Sequence, residues 1–421
     1  MAFIATSQSG TAGASSSAAR IGLIALTLLF FVWGFLTALN DVLLPHLRAV
    51  FSLTYAESAL IQTAFFLAYF ISSLPSSAIV ARIGYKGGLA VGLVLMAIGA
   101  LMFLPAASLV SFPLFLAALF VLGSGITLLQ VAANPYVTML GAPEGAAARL
   151  TLTQAFNSFG TTIAPLIGGS LILSAVTSTA TGDQVALAAE QASAVRGPYL
   201  AIALALFAMA VAFYFLRLPE PSEEPAKPTW TTFKQCFAKP RLSLGVLAIF
   251  IYVGTEVSIG SFLINFITAA VGVSVVAAAH MVSFYWGGAM VGRFIGSFLL
   301  RRVQPSVLLA VVSVTACALI GLSWATTGYT SVYALIAVGL CNAIMFPIIF
   351  SLGVEGLGRL SGIGSSLLVQ AIVGGAVIPL VIGALADRLG LGNALAFCIG
   401  SYLCIGLYGL YTRGQSLRVT P

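Results

Sequence analysis

The sequence predicts an all-α membrane protein in which twelve transmembrane helices form two pseudo-symmetric six-helix bundles. Three observations support this prediction: the composition, the number of long apolar segments and a weak internal repeat. Of the 421 residues, 60% are hydrophobic and only 7% are charged. A soluble chain of this size needs more charge to cover its surface, so the composition predicts a protein that lies in a lipid bilayer.

Apolar segments of about 20 residues are long enough to cross a bilayer as helices. The chain contains twelve such segments, which we number as spans 1 to 12. Their predicted bounds are residues 21–47, 55–81, 87–105, 112–140, 151–176, 198–217, 242–270, 275–300, 305–325, 330–353, 361–386 and 392–412.

The longest polar interruptions divide the chain into segments. Residues 218–241 combine prolines with charged side chains, which indicates a linker between two halves. The predicted organisation is a disordered N-terminal tail (1–20), an N-terminal six-helix bundle (21–217), a cytoplasmic linker (218–241), a C-terminal six-helix bundle (242–413) and a C-terminal tail (414–421).

The two halves repeat weakly. Pro135 in span 4 and Pro347 in span 10 begin similar short segments. Arg149-Leu150 and Arg359-Leu360 form a second matching pair at nearly the same spacing, which is about half the length of the chain. The agreement of the two spacings indicates parallel six-helix repeats, an arrangement typical of transporters whose substrate site lies between the repeats.

Lysine and arginine are distributed unequally between the two sides of the predicted bundle. One side, which includes both termini, holds fourteen of them, whereas the other holds three, Arg48, Arg196 and Arg388. Because basic residues concentrate in cytoplasmic loops, this asymmetry predicts that both termini lie in the cytoplasm. The positive charge forms no continuous stripe, so a nucleic-acid partner is not expected.

Polar side chains at helical spacing indicate which spans line a polar path. Long amides and acids gather on spans 1, 4, 5, 7, 10 and 11, whereas spans 3 and 6 contain almost none. Single Ser and Thr residues are explained by hydrogen bonds between helices. The amides as a set suit an uncharged polyhydroxylated solute, which needs both donors and acceptors. Those taken as candidate substrate contacts are Asn40, Gln130, Gln154, Asn157, Asn342 and Gln370.

Two carboxylates lie within predicted spans, Asp41 in span 1 and Glu256 in span 7. A carboxylate at the bilayer centre costs about 2.5–3.5 kcal/mol on insertion scales unless it faces protein or water, so both are candidate functional residues. An ion pair with Arg293 is the structural alternative. We expect Arg293 instead to serve the cytoplasmic face near Arg301 and Arg302.

Four segments of the chain carry recognisable motifs: 33–45, 132–138, 149–160 and 346–353. Through them the chain resembles the major facilitator superfamily and, within it, the fucose permease and glucose/galactose transporter family. The resemblance covers nearly the whole chain after the tail. The loop motif at 81–86 departs from the family pattern, because it keeps Arg and Gly but lacks the usual acid.

The resemblance implies a cation-coupled hexose symporter of a bacterial inner membrane. In fucose permeases the residue matching Asp41 is the proton-linked carboxylate, and those matching Gln154 and Asn157 contact sugar. Gln130 stands where that family has a second acid, which argues against fucose. The segments around Glu256 and Asn342 resemble those of the glucose/galactose branch.

The resulting hypothesis is alternating access by two bundles, with the sugar bound between them. Asn157, Gln154 and Gln130 would contact the hexose from one side, and Glu256, Asn342 and Gln370 from the other, with Asn40 as a further contact. Asp41 would bind the coupling ion, which the sequence leaves open as a proton or as sodium held by Asp41 as a metal ligand. Whether Glu256 binds sugar or ion is also open.

Other functions remain as alternatives. An L-fucose:proton symporter is one, and an exporter of a non-sugar solute from the same superfamily is another, although an exporter would have a more apolar or basic cavity. An enzyme is not expected, because no span contains a nucleophile–base pair or a metal cluster. We expect a monomer in the bilayer, with a hexose as its substrate and no cofactor besides the coupling ion.

Overall fold

The computed structural model describes residues 16–50, 55–109, 111–168, 196–216, 218 and 225–419. In the N-terminal half, α2 is 54 residues long and covers both span 2 and span 3. It is broken at Gly84, whose φ of 73° and ψ of 175° are accessible mainly to glycine. The helices of this half are α1 (Ser16–Val50), α2 (Tyr55–Ser108), α3 (Phe112–Met139), α4 (Ala146–Gly168) and α5 (Arg196–Phe215), with a 3-10 turn at Pro143–Gly145.

In the C-terminal half, spans 10, 11 and 12 are each built from two consecutive helices. A short helix, α6 (Trp230–Phe237), lies within the predicted linker. The remaining helices are α7 (Pro240–Val271), α8 (Val275–Leu299), α9 (Pro305–Ala325), α10 (Gly328–Asn342), α11 (Met345–Val354), α12 (Ser361–Gln370), α13 (Gly374–Leu389), α14 (Leu391–Ala396) and α15 (Cys398–Val419), with 3-10 turns at Gly358–Leu360 and Ala371–Val373.

The helices account for the predicted crossings. Seven described stretches are long and apolar enough to cross a membrane, and two shorter apolar helices lie at Arg20–Leu36 and Tyr199–Phe215. One of the seven, Thr63–Ser108, contains the break at Gly84 and supplies two crossings. α4 supplies span 5 and α8 supplies span 8. Together with the stretches above, the helices follow the order of the twelve predicted spans. The fold class predicted from the sequence is thus confirmed: an all-α membrane protein with two pseudo-symmetric six-helix bundles.

Close helix packing repeats in the two halves. A Cβ at Gly34 of α1 would overlap the Asn157 carbonyl oxygen of α4, and a Cβ at Gly374 of α13 would overlap the Phe250 carbonyl oxygen of α7. Glycine at these positions lets the two backbones touch. The first and fifth spans of each half are therefore held together in the same way.

One end of the fold, which we call the basic end, carries Arg149, Arg241 and Arg359. Arg149 donates to the carbonyl oxygens of Val137, Thr138 and Ala142, and so closes the turn between α3 and α4. Arg241 forms an ion pair with Glu355, which ties the start of α7 to the end of α11. The Arg359 carbonyl oxygen accepts a hydrogen bond from the Ala226 N–H, at 2.8 Å, and anchors the linker.

Candidate functional site

An amide and a tyrosine form a hydrogen-bonded pair at corresponding places in the two halves. Gln130 Nε2 on α3 donates to the Tyr69 hydroxyl on α2 at 2.9 Å. Asn342 Nδ2 at the end of α10 donates to the Tyr285 hydroxyl on α8 at 2.8 Å. Both amides are buried, and each lies five positions before the proline of its span, Pro135 or Pro347. The internal repeat thus extends to the polar side chains.

Asn342 is the centre of a buried tyrosine cluster. Its Oδ1 accepts a hydrogen bond from the Tyr402 hydroxyl at 2.6 Å, and its backbone oxygen accepts one from the Tyr252 hydroxyl at 3.0 Å. With the bond to Tyr285, both ends of the amide have protein partners, and the residue has 0% of its surface exposed. In this conformation Asn342 organises the cluster, and its predicted contact with sugar stays a prediction.

Glu256 lies beside this cluster on α7. Its Oε1 is buried without a hydrogen-bond partner among the described residues. The Tyr285 hydroxyl donates to the Glu256 backbone oxygen at 3.2 Å, and the Tyr252 hydroxyl and the Arg293 guanidinium are close enough to interact with the carboxylate. A buried acceptor without a donor is costly. This oxygen is therefore suited to accept a hydrogen bond from a bound solute, to coordinate a cation or to take up a proton.

Arg293 on α8 does not serve the cytoplasmic face, contrary to the expectation from its position in span 8. Its Nε donates to the Ala343 carbonyl oxygen at 3.1 Å, and its Nη1 donates to the Ser158 hydroxyl on α4. Arg293 and Glu256 are both among the described residues, and their side chains do not form an ion pair. The guanidinium instead connects the two halves.

Gln154 and Asn157 lie on α4, on the N-terminal side of the contact between the halves. Asn157 Nδ2 donates to the Phe30 carbonyl oxygen on α1 at 2.9 Å, so it also positions α1 against α4. Gln154 is buried, with 6% of its surface exposed. Gln154 lies one helical turn before Ser158, the partner of Arg293, and so shares its face of α4.

Gln370, at the end of α12, contacts the other half directly. Its Nε2 donates to the Phe70 carbonyl oxygen on α2 at 3.2 Å. Nearby, a Cβ at Gly375 would lie 2.6 Å from the Phe66 ring, which shows how closely the two halves approach here. Gln370 therefore forms a contact between the two halves in this conformation, and it is not part of the Asn342 cluster.

Asp41 and Asn40 lie in α1 but outside the residues whose side chains the structure describes. Their predicted roles in cation coupling and substrate contact therefore stay predictions. The described residues contain no group of three or more His, Cys, Asp and Glu side chains that could hold a metal ion.

Tyr285 and Tyr402 are parts of the site that sequence reasoning missed. Tyr285 follows Tyr69 at close to the spacing that relates Pro347 to Pro135, so the repeat itself is the signal that could have identified it. Tyr402 has no such counterpart, and its contact with Asn342 crosses 60 residues of chain.

A separate cavity of about 450 Å³ opens at the end of the C-terminal half opposite the basic end. Phe266, Trp324 and Asn393 contribute to its wall, and Trp324 Nε1 donates to Asn393 Oδ1 at 2.9 Å. None of the predicted site residues that the structure describes lines it, so it is distinct from the cluster around Asn342.

The chain is similar to known proteins over most of its length. The family model of the Major Facilitator Superfamily matches residues 25–370. A glucose/galactose transporter of Brucella abortus biovar 1 (strain 9-941) is 51% identical over 392 residues, covering 92% of this chain and 93% of the relative. A putative glucose/galactose transporter of Helicobacter pylori (strain ATCC 700392 / 26695) is 44% identical over 372 residues, covering 88% and 90%.

A solved structure has a closely similar arrangement of helices. The crystal structure of the E. coli fucose:proton symporter FucP superposes with a TM-score of 0.87 at 30% sequence identity. The superposition covers 94% of this chain and 99% of the symporter chain. The similarity therefore extends over the helices of both halves.

Proposed function

The chain belongs to the major facilitator superfamily, and we propose that it is a secondary active transporter that carries a hexose, such as glucose or galactose, together with a cation. The sequence relatives described above are named a glucose/galactose transporter and a putative glucose/galactose transporter, and the structural relative is a fucose:proton symporter. These relatives are transporters and not enzymes, which agrees with the expectation from the sequence.

One observation carries the choice of an uncharged polyhydroxylated substrate. The buried Oε1 of Glu256 has no donor among the described residues and lies beside a cluster of tyrosine hydroxyls and a buried amide. A sugar hydroxyl would supply the missing hydrogen bond, and a bond to a carboxylate is roughly twice as strong as one between neutral groups. An apolar substrate would leave this oxygen unsatisfied.

The residues of the proposed site come from both halves. Gln154 and Asn157 on α4, with Gln130 on α3, would contact the hexose from the N-terminal half. Glu256, Asn342 and Gln370 would contact it from the C-terminal half. Support comes from Arg293 on α8, which donates both to Ser158 on α4 and to the carbonyl oxygen of Ala343, the residue after Asn342. Asn40 is proposed as a further contact from α1.

We propose that Asp41 binds the coupling ion. A carboxylate in a membrane helix is neutralised when it takes up a proton or coordinates sodium, and neutralisation lowers the cost of closing protein around it. The proton-coupled relative favours a proton, whereas sodium would make Asp41 a metal ligand. In either case we propose that the protein needs a coupling ion and no organic cofactor.

We propose that the protein acts as a monomer in a bacterial inner membrane, with both termini in the cytoplasm. The membrane location follows from the family and from the apolar helices. The orientation is supported by the fourteen basic residues that share one predicted side with the termini. The basic end would then face the cytoplasm.

Counterflow in proteoliposomes tests the proposal. Purified protein is reconstituted, the vesicles are loaded with glucose, galactose, mannose or fucose, and entry of the same labelled sugar is followed. Glucose or galactose should exchange fastest, and imposing a proton or a sodium gradient separately should show which one drives accumulation. Exchange of fucose alone would favour the fucose symporter alternative. Failure of all four sugars with correctly folded protein would contradict hexose transport.

A further inference from the structure

Prolines free one backbone carbonyl in span 4 and one in span 10. Proline has no N–H, so the carbonyl four residues before it loses its helical hydrogen bond. Pro135 frees the carbonyl of Val131 in α3, and Pro347 frees that of Ala343 at the junction of α10 and α11. Because the two prolines are related by the internal repeat, the two carbonyls occupy corresponding places in the two halves.

Both freed carbonyls lie where the two halves meet. The Ser365 hydroxyl on α12 donates to the Val131 oxygen at 3.0 Å, which is a direct bond between the halves. Arg293 Nε donates to the Ala343 oxygen at 3.1 Å, and the same guanidinium continues through Nη1 to Ser158 on α4 of the other half. The Ser365–Val131 and Arg293–Ser158 bonds must break if the two halves move apart here, whereas the Arg293–Ala343 bond lies within the C-terminal half.

Arg293 is held at this place by the glycines that flank it. A Cβ at Gly292 would lie 2.6 Å from the Ala343 Cβ, and one at Gly296 would overlap Ile344 Cγ2. These glycines let α8 pack closely against the junction of α10 and α11. The Arg293 guanidinium therefore lies within hydrogen-bonding distance of the Ala343 carbonyl oxygen. The planar guanidinium has five donors in a fixed fork, which lets one side chain bond two acceptors at once.

The charge of Arg293 also acts on Glu256. The guanidinium is near enough to the carboxylate to interact with it, although the two do not form an ion pair. Ala343, which accepts the Arg293 Nε–H, directly follows Asn342, whose amide donates to the Tyr285 hydroxyl that in turn donates to the Glu256 backbone oxygen. A path of contacts therefore connects a solute or cation bound at Glu256 with the Arg293–Ala343 bond.

We propose that Arg293 is a positioning residue that couples the occupancy of Glu256 to the contact between α4 and α8. With α4 and α8 in contact, the guanidinium joins Ala343 to Ser158. With the two helices apart, it loses the bond to Ser158 and keeps the carbonyl of Ala343, beside the Asn342–Tyr285–Glu256 contacts. This inference rests on the proposed transport function, because it assigns a role within the conformational cycle that moves the substrate.

Cross-linking across the α4–α8 contact tests the role without any sugar. The Thr162 hydroxyl lies 3.3 Å from the Met290 sulfur, so cysteines at these two positions (T162C with M290C) report whether the helices are in contact. We expect Arg293→Gln to slow cross-linking about tenfold, the effect of losing roughly one charge-assisted hydrogen bond. Ser158→Ala should slow it less, and Arg293→Lys should restore part of the rate.

Matched controls separate this role from general damage. Arg301→Gln alters an exposed arginine just beyond the end of the same helix and should leave the cross-linking rate unchanged. In counterflow, Arg293→Gln should lower the maximal rate about tenfold and change KM less than about twofold, since the guanidinium is proposed to act on the conformational step. Size-exclusion profiles and retained sugar binding verify that the variants are folded.

Two outcomes would overturn the inference: cross-linking that is equally fast with glutamine and with arginine at position 293, or a maximal counterflow rate that Arg293→Gln leaves unchanged. A failure of the proposed function looks different. In that case none of the four sugars would exchange, yet cross-linking would still depend on Arg293.

Discussion

The Tyr285 hydroxyl accepts a hydrogen bond from Asn342 Nδ2 and donates one to the Glu256 backbone oxygen, at 2.8 Å and 3.2 Å. A single phenol on α8 thus connects the broken helix of span 10 to α7, the helix that carries Glu256. Tyr69 and Gln130 repeat the tyrosine–amide part of this arrangement in the N-terminal half at 2.9 Å.

Removing the Tyr285 hydroxyl should lower both the stability of the protein and its affinity for sugar. In Tyr285→Phe the Asn342 amide loses a buried acceptor, which typically costs about 1–3 kcal/mol. We expect a lower thermal unfolding temperature and weaker sugar affinity, measured by fluorescence-detected unfolding and by counterflow. Tyr329→Phe is the matched control, because Tyr329 is exposed on α10 and should tolerate the change. Equal effects of the two substitutions would contradict a special role for Tyr285.

Neutralising Glu256 should weaken sugar binding. In Glu256→Gln a carboxylate acceptor becomes a weaker neutral one, and we expect the dissociation constant for the transported hexose to rise about tenfold, which corresponds to loss of one charged hydrogen bond. Glu355→Gln serves as the control, since Glu355 pairs with Arg241 at the basic end. Equilibrium binding with labelled sugar measures the effect, and an unchanged affinity in Glu256→Gln would remove Glu256 from the sugar site.

Replacing Asp41 by Asn should separate coupling from exchange. Asp41→Asn can no longer exchange a proton or hold sodium as a carboxylate, so accumulation against a gradient should be lost while counterflow is partly retained. Uptake is compared in proteoliposomes with and without an imposed cation gradient. Asp387→Asn changes an exposed acid near the end of α13 and should keep full accumulation. Undiminished uphill uptake by the Asp41 variant would rule out its coupling role.

Glycine at the α7–α13 contact should be required for stability. A Cβ at Gly374 would overlap a backbone oxygen of α7, so Gly374→Ala must push the two helices apart. Overpacking of this kind costs typically about 1–3 kcal/mol, and we expect a clear fall in the thermal unfolding temperature. Gly321→Ala is the control, because nothing lies within 4 Å of a Cβ there. Similar unfolding temperatures for both variants would show that the contact adapts freely.

Much of the fold could be predicted because a bilayer imposes simple rules. Hydrocarbon thickness sets the length of each apolar segment, and every backbone polar group must be bonded internally, so long apolar segments become helices. Span 2 and span 3 illustrate this: the sequence separates them at residues 82–86, and the structure breaks α2 at Gly84 within that interval.

The candidate site was predictable only in part. Polar spacing identifies Gln130, Asn342 and Glu256 as unusual, because long amides and acids are expensive in apolar helices. Spacing along one helix gives a residue's depth and face, but it does not identify the neighbouring helix. For that reason the sequence places Arg293 with the wrong partners and gives no sign of the role of Tyr402.

By itself, the sequence determined that this chain is a twelve-span membrane protein built from two related halves, because apolar length and the Pro135–Pro347 repeat are properties of the chain alone. Only the tertiary structure decided what the unusual side chains touch. Arg293 meets Ser158 across 135 residues of chain, and Asn342 meets Tyr402 across 60. Such contacts depend on how helices pack, and packing brings together groups whose separation in sequence carries no trace of their proximity.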